Sequence, residues 1–178
     1  SILKKKNLFY PPDPASKGSC TLGGNFALNA GGPKAVKYGV TSNYVLNFEI
    51  VLPNGDIFWT GANTLKNATG YNLTQLIVGS EGTLGVVTQA VVKILPLPNH
   101  RLLILIPFEI NLEACKAVSD IMYNNILPSS LEFMEKDAVV FVQDQNYANI
   151  PFSIDDKTDS FLLIELDGSS KKKLFEEA

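Results

Sequence analysis

Between positions 45 and 52, apolar Leu46, Phe48, Ile50 and Leu52 alternate with Val45, Asn47, Glu49 and Val51. A period of two is that of a strand with one face in a core. Pro53-Asn54-Gly55-Asp56 follows, and an Asn-Gly pair flanked by alternating apolar residues predicts a hairpin, with Ile57-Phe58-Trp59 as its return strand. From Val86 to Leu95 both faces are apolar except at Thr88, Gln89 and Lys93. That predicts a long strand in the centre of a sheet. Pro96-Leu97-Pro98 cannot continue a central ladder, which places a domain boundary there and divides the chain into 1–98 and 99–178. Beyond the boundary, Leu102 to Phe108 reads as a strand and Asn111 as a helix N-cap. Cys115, Val118, Ile121 and Met122 then form the buried stripe of a helix ending near Asn124 and Asn125. Leu131 to Met134 is a short strand, and Asp137 caps a helix over Ala138 to Gln145. Val139, Val140 and Val142 favour a strand over the same stretch, so both readings stand. Phe161 to Leu166 is a strand, followed by Gly168, Ser169 and a charged helix start. The fold class is α+β. The second half reads β-α-β, an insertion, then β-α, and a split βαβ unit calls for one further strand.

Composition narrows the function classes. Of 178 residues, 46% are hydrophobic and 19% charged, as in a folded globular chain. No apolar run approaches the ~20 residues of a membrane span. Fifteen basic residues against eighteen acidic give a net charge of -3. The only basic runs, Lys4-Lys5-Lys6 and Lys171-Lys172-Lys173, lack interleaved aromatics, which argues against a nucleic-acid partner. Cys20 and Cys115 lack CxxC spacing and no signal-peptide pattern opens the sequence, so the expected compartment is a reducing cytoplasm. With His100 the single histidine, neither a hydrolytic triad nor a His-based metal site can be assembled, and no catalytic or metal-ligating residue is assigned. The phosphate-loop pattern GxxxxGK[ST] and the dinucleotide pattern GxGxxG are both absent.

Glycine is where the chemistry concentrates. Twelve of the thirteen lie between Gly18 and Gly85, and Gly168 stands alone beyond them. Pro11-Pro12-Asp13-Pro14-Ala15-Ser16 is a stiff turn, which by itself is more simply a domain-entry loop. In Cys20 to Gly32, Gly23-Gly24 and Gly31-Gly32 fall within ten residues of each other. Paired glycines allow close backbone approach, and free N–H groups there suit a diphosphate or a flat ring. A tightly packed helix explains one such pair easily and two less easily. Gly79-Ser80-Glu81-Gly82-Thr83-Leu84-Gly85 holds one carboxylate, which either binds vicinal hydroxyls of a ribose or caps a turn.

Taken in order, the strings PPDPAS, TLGGNFALNAGG, AVKYGVT, VLPNGD, KNATGYNL, VGSEGTLGVVT and LPLP give the chain a specific resemblance. It resembles the FAD-linked oxidases of the vanillyl-alcohol oxidase (PCMH-type) superfamily, in the branch of D-lactate dehydrogenase, the glycolate oxidase flavoprotein subunit and D-2-hydroxyglutarate dehydrogenase. The likeness is dense from Leu8 to Pro98 and continues weakly through Ser130-Leu131-Glu132-Phe133-Met134. It implies the second half of a PCMH-type FAD-binding domain, followed by the start of an antiparallel-sheet, ferredoxin-like substrate (cap) domain. The family's pyrophosphate loop is expected upstream of Ser1 and its histidine-containing segments downstream of Ala178, so this stretch alone is expected to be catalytically silent and to bind FAD weakly.

Carried over position by position, the resemblance implies FAD contacts from Pro12, Asp13 and Ser16, and from Thr21, Gly23, Gly24, Ala27 and Asn29. Ala30, Gly31, Gly32, Tyr38, Gly39 and Val40 follow, and then Glu81, Gly82, Gly85 and Val86, with Glu81 on the nucleotide side. The three blocks are expected to share one surface. Asn72 departs from the family's more common Asp in GYDL, and Lys66 and Tyr71 beside it read equally well as a surface lysine and a packed tyrosine. The implied reaction is oxidation of a 2-hydroxy acid to the 2-oxo acid, with the electron acceptor left open. The alternatives are an FAD transferase like alkylglycerone-phosphate synthase, which AVKYGVT and KNATGYNL fit less well, and a non-catalytic module that keeps the fold. An open strand edge would also let the chain pair with a copy of itself as a homo-oligomer.

Overall fold

A computed structural model describes residues 2–145, 147, 150 and 153–178. The chain divides into two compact units, Ser1–Leu97 and Pro98–Ala178.

The first unit contains β1 (Leu8–Phe9), α1 (Leu22–Leu28), α2 (Ala35–Tyr38), β2 (Val45–Val51), β3 (Ile57–Trp59), α3 (Leu73–Ile77), β4 (Val86–Val92) and β5 (Leu95–Pro96). The hairpin forms where the alternation puts it, with Val51 opposite Ile57 and Glu49 opposite Trp59. Gly55 takes φ 90°, a conformation that only the Asn-Gly turn makes inexpensive. Asn54 then locks the turn by accepting from the Asp56 N–H at 3.1 Å and donating to the Asp56 carboxylate at 2.7 Å. The sheet order is β3-β2-β4, all antiparallel. Two expectations are corrected here. β4 is an edge of this sheet and not its centre, because β2 takes the position paired on both sides. The strand also ends at Val92, with Leu95–Pro96 forming a separate two-residue pairing to β1; Pro96 is tolerated in that short, one-sided ladder. Phe48 (0% exposed) and Ile50 centre a core with Phe26, Val45, Ile77 and Val78, and the Phe26 and Phe48 rings meet edge-on at 5.1 Å.

The second unit contains β6 (His100–Phe108), α4 (Asn111–Tyr123), β7 (Ser130–Glu135), α5 (Lys136–Asp144), β8 (Ser160–Gly168) and α6 (Lys171–Glu177). Its sheet runs β6-β8-β7, with β8 antiparallel to both neighbours. β6 and β7 are therefore parallel, joined by α4, and split by β8. Leu162, Ile164 and Leu166 of β8 pack with Leu174 of α6 and with Ala117, Val118 and Ile121 of α4. The buried stripe of α4 keeps Val118 and Ile121 as expected, but its ends differ: Ala114 is fully buried, while Cys115 is exposed and Met122 is 40% exposed. Asn111 is the first helical residue and Ile110 the N-cap, and neither it nor Glu135, the N-cap of α5, makes a side-chain capping bond. Asp137 falls in the first turn of α5 instead, a favourable place for a carboxylate. The valine-rich stretch is helical, since Val139 alone needs burial there.

Candidate functional site

Thr21 starts α1 by accepting the Gly24 N–H on its hydroxyl at 3.1 Å, an ordinary N-cap. The first amides of the helix, at Leu22 and Gly23, have no partner among the described residues. Gly24 is confined, since a β-carbon there would lie 3.2 Å from the Thr21 hydroxyl. Gly23 is not: it has helical backbone, it is exposed, and a β-carbon would meet open space. Leu22 and Leu28 on the same helix are exposed as well, at 50% and 66%.

The helix ends at Asn29 in the left-handed region (φ 49°), and its Oδ1 accepts the Ser42 N–H at 2.8 Å. Beside it the Ala30 carbonyl accepts both the N–H (3.0 Å) and the hydroxyl (2.7 Å) of fully buried Thr41. A β-carbon on Gly31 would press on Val40 at 3.2 Å, and one on Gly32, at φ 150°, would overlap the Asp13 carbonyl. Gly39 takes φ 77° against Asn43, whose Oδ1 accepts the Val40 N–H at 2.8 Å. From the third block, the Gly79 N–H donates to the Phe26 carbonyl at 2.9 Å and the Glu81 N–H to the Ala27 carbonyl at 3.0 Å. Main-chain bonds thus tie Gly79–Glu81 to the end of α1. The Glu81 carboxylate is exposed and makes no ion pair among the described residues.

Other positions are committed to the fold. Pro12 is buried, and Asp13 is ion-paired with Lys17 at 2.5 Å. Ser16 is exposed, and its carbonyl accepts from the Ser19 and Cys20 amides at 2.8 and 2.9 Å. The Tyr38 carbonyl accepts the Tyr44 hydroxyl at 2.6 Å and its ring meets Phe9 edge-on. Tyr10 packs edge-on against Tyr44. Burial pushes both phenols above the ordinary tyrosine range; for Tyr10 the neighbouring Thr41 hydroxyl offsets part of this and Tyr44 adds to it. Gly82 turns at φ 77° beside open space. Gly85 and Val86 are not hydrogen-bonded to the other blocks: Gly85 closes on the Val51 carbonyl, 2.9 Å from where its β-carbon would be, and Val86 pairs with Val51.

The KNATGYNL string is the rim of a separate cavity of about 210 Å³, lined by Thr60, Gly61, Asn67, Tyr71, Asn72 and Thr74 among others. Tyr71 is 94% exposed and not packed. Asn72 is the N-cap of α3, its Oδ1 accepting the Gln75 N–H at 3.1 Å. That role is open to Asn and Asp alike, which accounts for the departure from the family pattern. Gln75 in turn donates from Nε2 to the Ser42 carbonyl at 2.8 Å, a link the sequence reading missed. The N-x-x-Q spacing marks the cap of α3 but carries no signal for this bond, whose partner lies 33 positions away. Among the described residues no group of acidic, histidine or cysteine side chains could hold a metal ion, and no helix is long and apolar enough to cross a membrane.

Comparison with known proteins adds independent findings. Residues 1–61 match the FAD binding domain, and residues 97–178 match the C-terminal domain of FAD linked oxidases. The chain is 45% identical over 166 residues to glycolate oxidase subunit GlcD of Bacillus subtilis, covering 93% of this chain and 34% of that protein. It is 42% identical over 177 residues to D-lactate dehydrogenase of Anaerostipes hadrus, covering 96% and 36%. Against D-2-hydroxyglutarate dehydrogenase of Stutzerimonas stutzeri it is 33% identical over 168 residues, covering 94% and 36%. A solved alkyldihydroxyacetonephosphate synthase superposes with a TM-score of 0.79 at 25% identity, over 99% of this chain and 34% of that one. The chain spans about a third of the length of the curated relatives it matches.

Proposed function

We infer that this chain, which belongs to the FAD-linked oxidases, is part of an enzyme that oxidises a 2-hydroxy acid of the D-lactate, glycolate or D-2-hydroxyglutarate type to the 2-oxo acid. Residues 1–98 are its share of the FAD-binding domain and 99–178 its share of the substrate domain. When bound, FAD supplies the two-electron acceptor for such a reaction.

The residues present fit FAD on one observation above all. Gly23 has neither strain nor crowding to explain it, and a glycine inside a helix costs about 1 kcal/mol against alanine. It stands in the first turn of α1, where the Leu22 and Gly23 amides have no partner among the described residues, which suits close approach of a diphosphate or a ring to the main chain. Thr21, Gly23, Gly24, Ala27, Asn29 and Ala30 would hold the cofactor from α1 and its end. Glu81 and Gly82 would do so from the segment bonded to that helix, and Gly31, Gly32, Gly39, Val40 and the 12–16 turn would set the backbone around it. Tyr38, Gly85 and Val86 would border it. Two free cysteines suit a reducing cytoplasm. Pairing with a second copy through an open strand edge would be a property of this stretch and not of the native assembly, and the electron acceptor belongs to the whole protein.

Flavin fluorescence titration of the chain tests the cofactor reading: saturable quenching in the wild type, lost in Gly23→Val without a fall in melting temperature. Equal binding by both would refute it. Anaerobic bleaching of flavin in the full-length protein by D-lactate, glycolate or D-2-hydroxyglutarate tests the reaction. The synthase likeness supports a second reading, alkyl transfer on the same scaffold; a full-length protein whose flavin none of the three acids reduces would favour it.

A further inference from the structure

The turn behind the first glycine block is held from two directions. Thr41–Asn43 is a single 3-10 turn, and its three residues reach three of the expected FAD contacts. The Thr41 N–H and hydroxyl both donate to the Ala30 carbonyl, Asn43 Oδ1 accepts the Val40 N–H, and the Ser42 N–H donates to Asn29 Oδ1. From the other direction the Ser42 carbonyl accepts from Gln75 Nε2 at 2.8 Å. Ser42 is therefore suspended between Asn29 and Gln75.

A short turn has no core of its own to fix it, whereas α3 is firmly seated. Ile77 packs in the Phe26–Phe48 core, and Thr74 is 3% exposed and bonded to Thr60. Asn72 caps the helix at the Gln75 N–H itself, so the backbone from which the Gln75 side chain starts is fixed. Just past the helix, the Gly79 and Glu81 amides donate to the Phe26 and Ala27 carbonyls of α1. α3 is thus tied to α1 and its end twice: by main chain after its last turn, and by the Gln75 side chain, through Ser42, from its first. Any residue at 75 would supply the N–H that Asn72 caps, and the exposed side chain adds nothing to the core. Only a side-chain donor of this length supplies the bond to Ser42.

We propose that Gln75 is a positioning residue of the flavin site: through Ser42 it fixes the turn that sets Asn29, Ala30 and Val40, and so lowers the cost of ordering them when the cofactor binds. This role rests on the flavin reading above, and Gln75 lies outside all three glycine blocks.

Gln75→Met keeps the length, neutrality and helix propensity of the side chain and removes the donor. Flavin fluorescence titration of the chain is expected to give a Kd about fivefold weaker than that of the wild type, the worth of one net hydrogen bond. Amide exchange followed by heteronuclear NMR is expected to quicken at Thr41 and Ser42 and to stay unchanged in the β2–β3 hairpin. Thr74→Val is the companion variant: it loosens α3 but leaves the bond to Ser42, and is expected to bind FAD within about twofold of the wild type. A merely structural part for Gln75 would have both variants weaken FAD in step with their melting temperatures, with exchange at Thr41 and Ser42 no faster than elsewhere. That result overturns the proposal. Wild-type binding matched by Gln75→Met to within about twofold overturns it alone, and a wild-type chain that shows no saturable quenching overturns it together with the flavin reading.

Discussion

The backbone of Gly32 runs against the carbonyl of Asp13 with no room for a side chain between them. This contact joins the proline turn to the end of the first glycine block. Gly32→Ala adds both overlap and a left-handed φ of 150°, and should cost at least ~2 kcal/mol. Gly23→Ala is the opposite case: with open space and helical backbone, it should gain ~0.5–1 kcal/mol while weakening FAD binding. Urea midpoints at constant slope check both signs.

Asn29 serves twice, as a left-handed helix end and as the acceptor for Ser42. Asn29→Ala loses both and should destabilise by ~1–3 kcal/mol. Asn29→Gly keeps the backbone conformation and should lose less. Chemical denaturation of the two variants separates the contributions.

Thr74→Val removes one side of the buried Thr60–Thr74 bond with little change of shape. The Thr60 hydroxyl keeps the Phe48 N–H as its donor, so losing the shared bond should cost ~1 kcal/mol. A double-mutant cycle with Thr60→Val should show strong coupling, because each single change already breaks the shared bond.

Tyr10 and Tyr44 hold their protons to higher pH in the folded chain than the ordinary tyrosine value of 10.0. Their contribution to stability is complete below that value and is lost as pH rises through the folded-state pKa, because the unfolded chain releases the protons first. The melting temperature should therefore fall above pH 10. Tyr10→Phe should make that fall shallower, and tyrosinate absorbance on unfolding should report the release.

Local signals were the legible ones. Asn54-Gly55 and the alternation around Phe48 located the hairpin to within a residue, because turn type and strand period are properties of short segments. The order β3-β2-β4 was not legible. Val86–Val92 is apolar on both faces, as an interior strand would be, and only the pairing decides its neighbours. The stripe of α4 was legible at Val118 and Ile121 and not at its N-terminal end, because Ala114 carries little hydrophobic weight, though its small size lets the helix sit close. The glycine blocks were found as motifs, but which glycines the fold itself requires was hidden. Gly32, Gly39 and Gly61 answer to atoms of Asp13, Asn43 and Thr74, and those contacts exist only in three dimensions.

The insertion of β8 between β6 and β7 sets an order of events during synthesis. His100 finds its partner only in Gly168, and Ser130 only in Glu165. As the chain leaves the ribosome, the residues of β6 and β7 are made before those of β8, the strand that both pair with. Neither has a ladder until β8 is made. The closure entropy of that long loop must be met all at once. Over this interval the Leu102–Phe108 segment is an unpaired apolar strand, the state most open to capture by another nascent chain or by a chaperone.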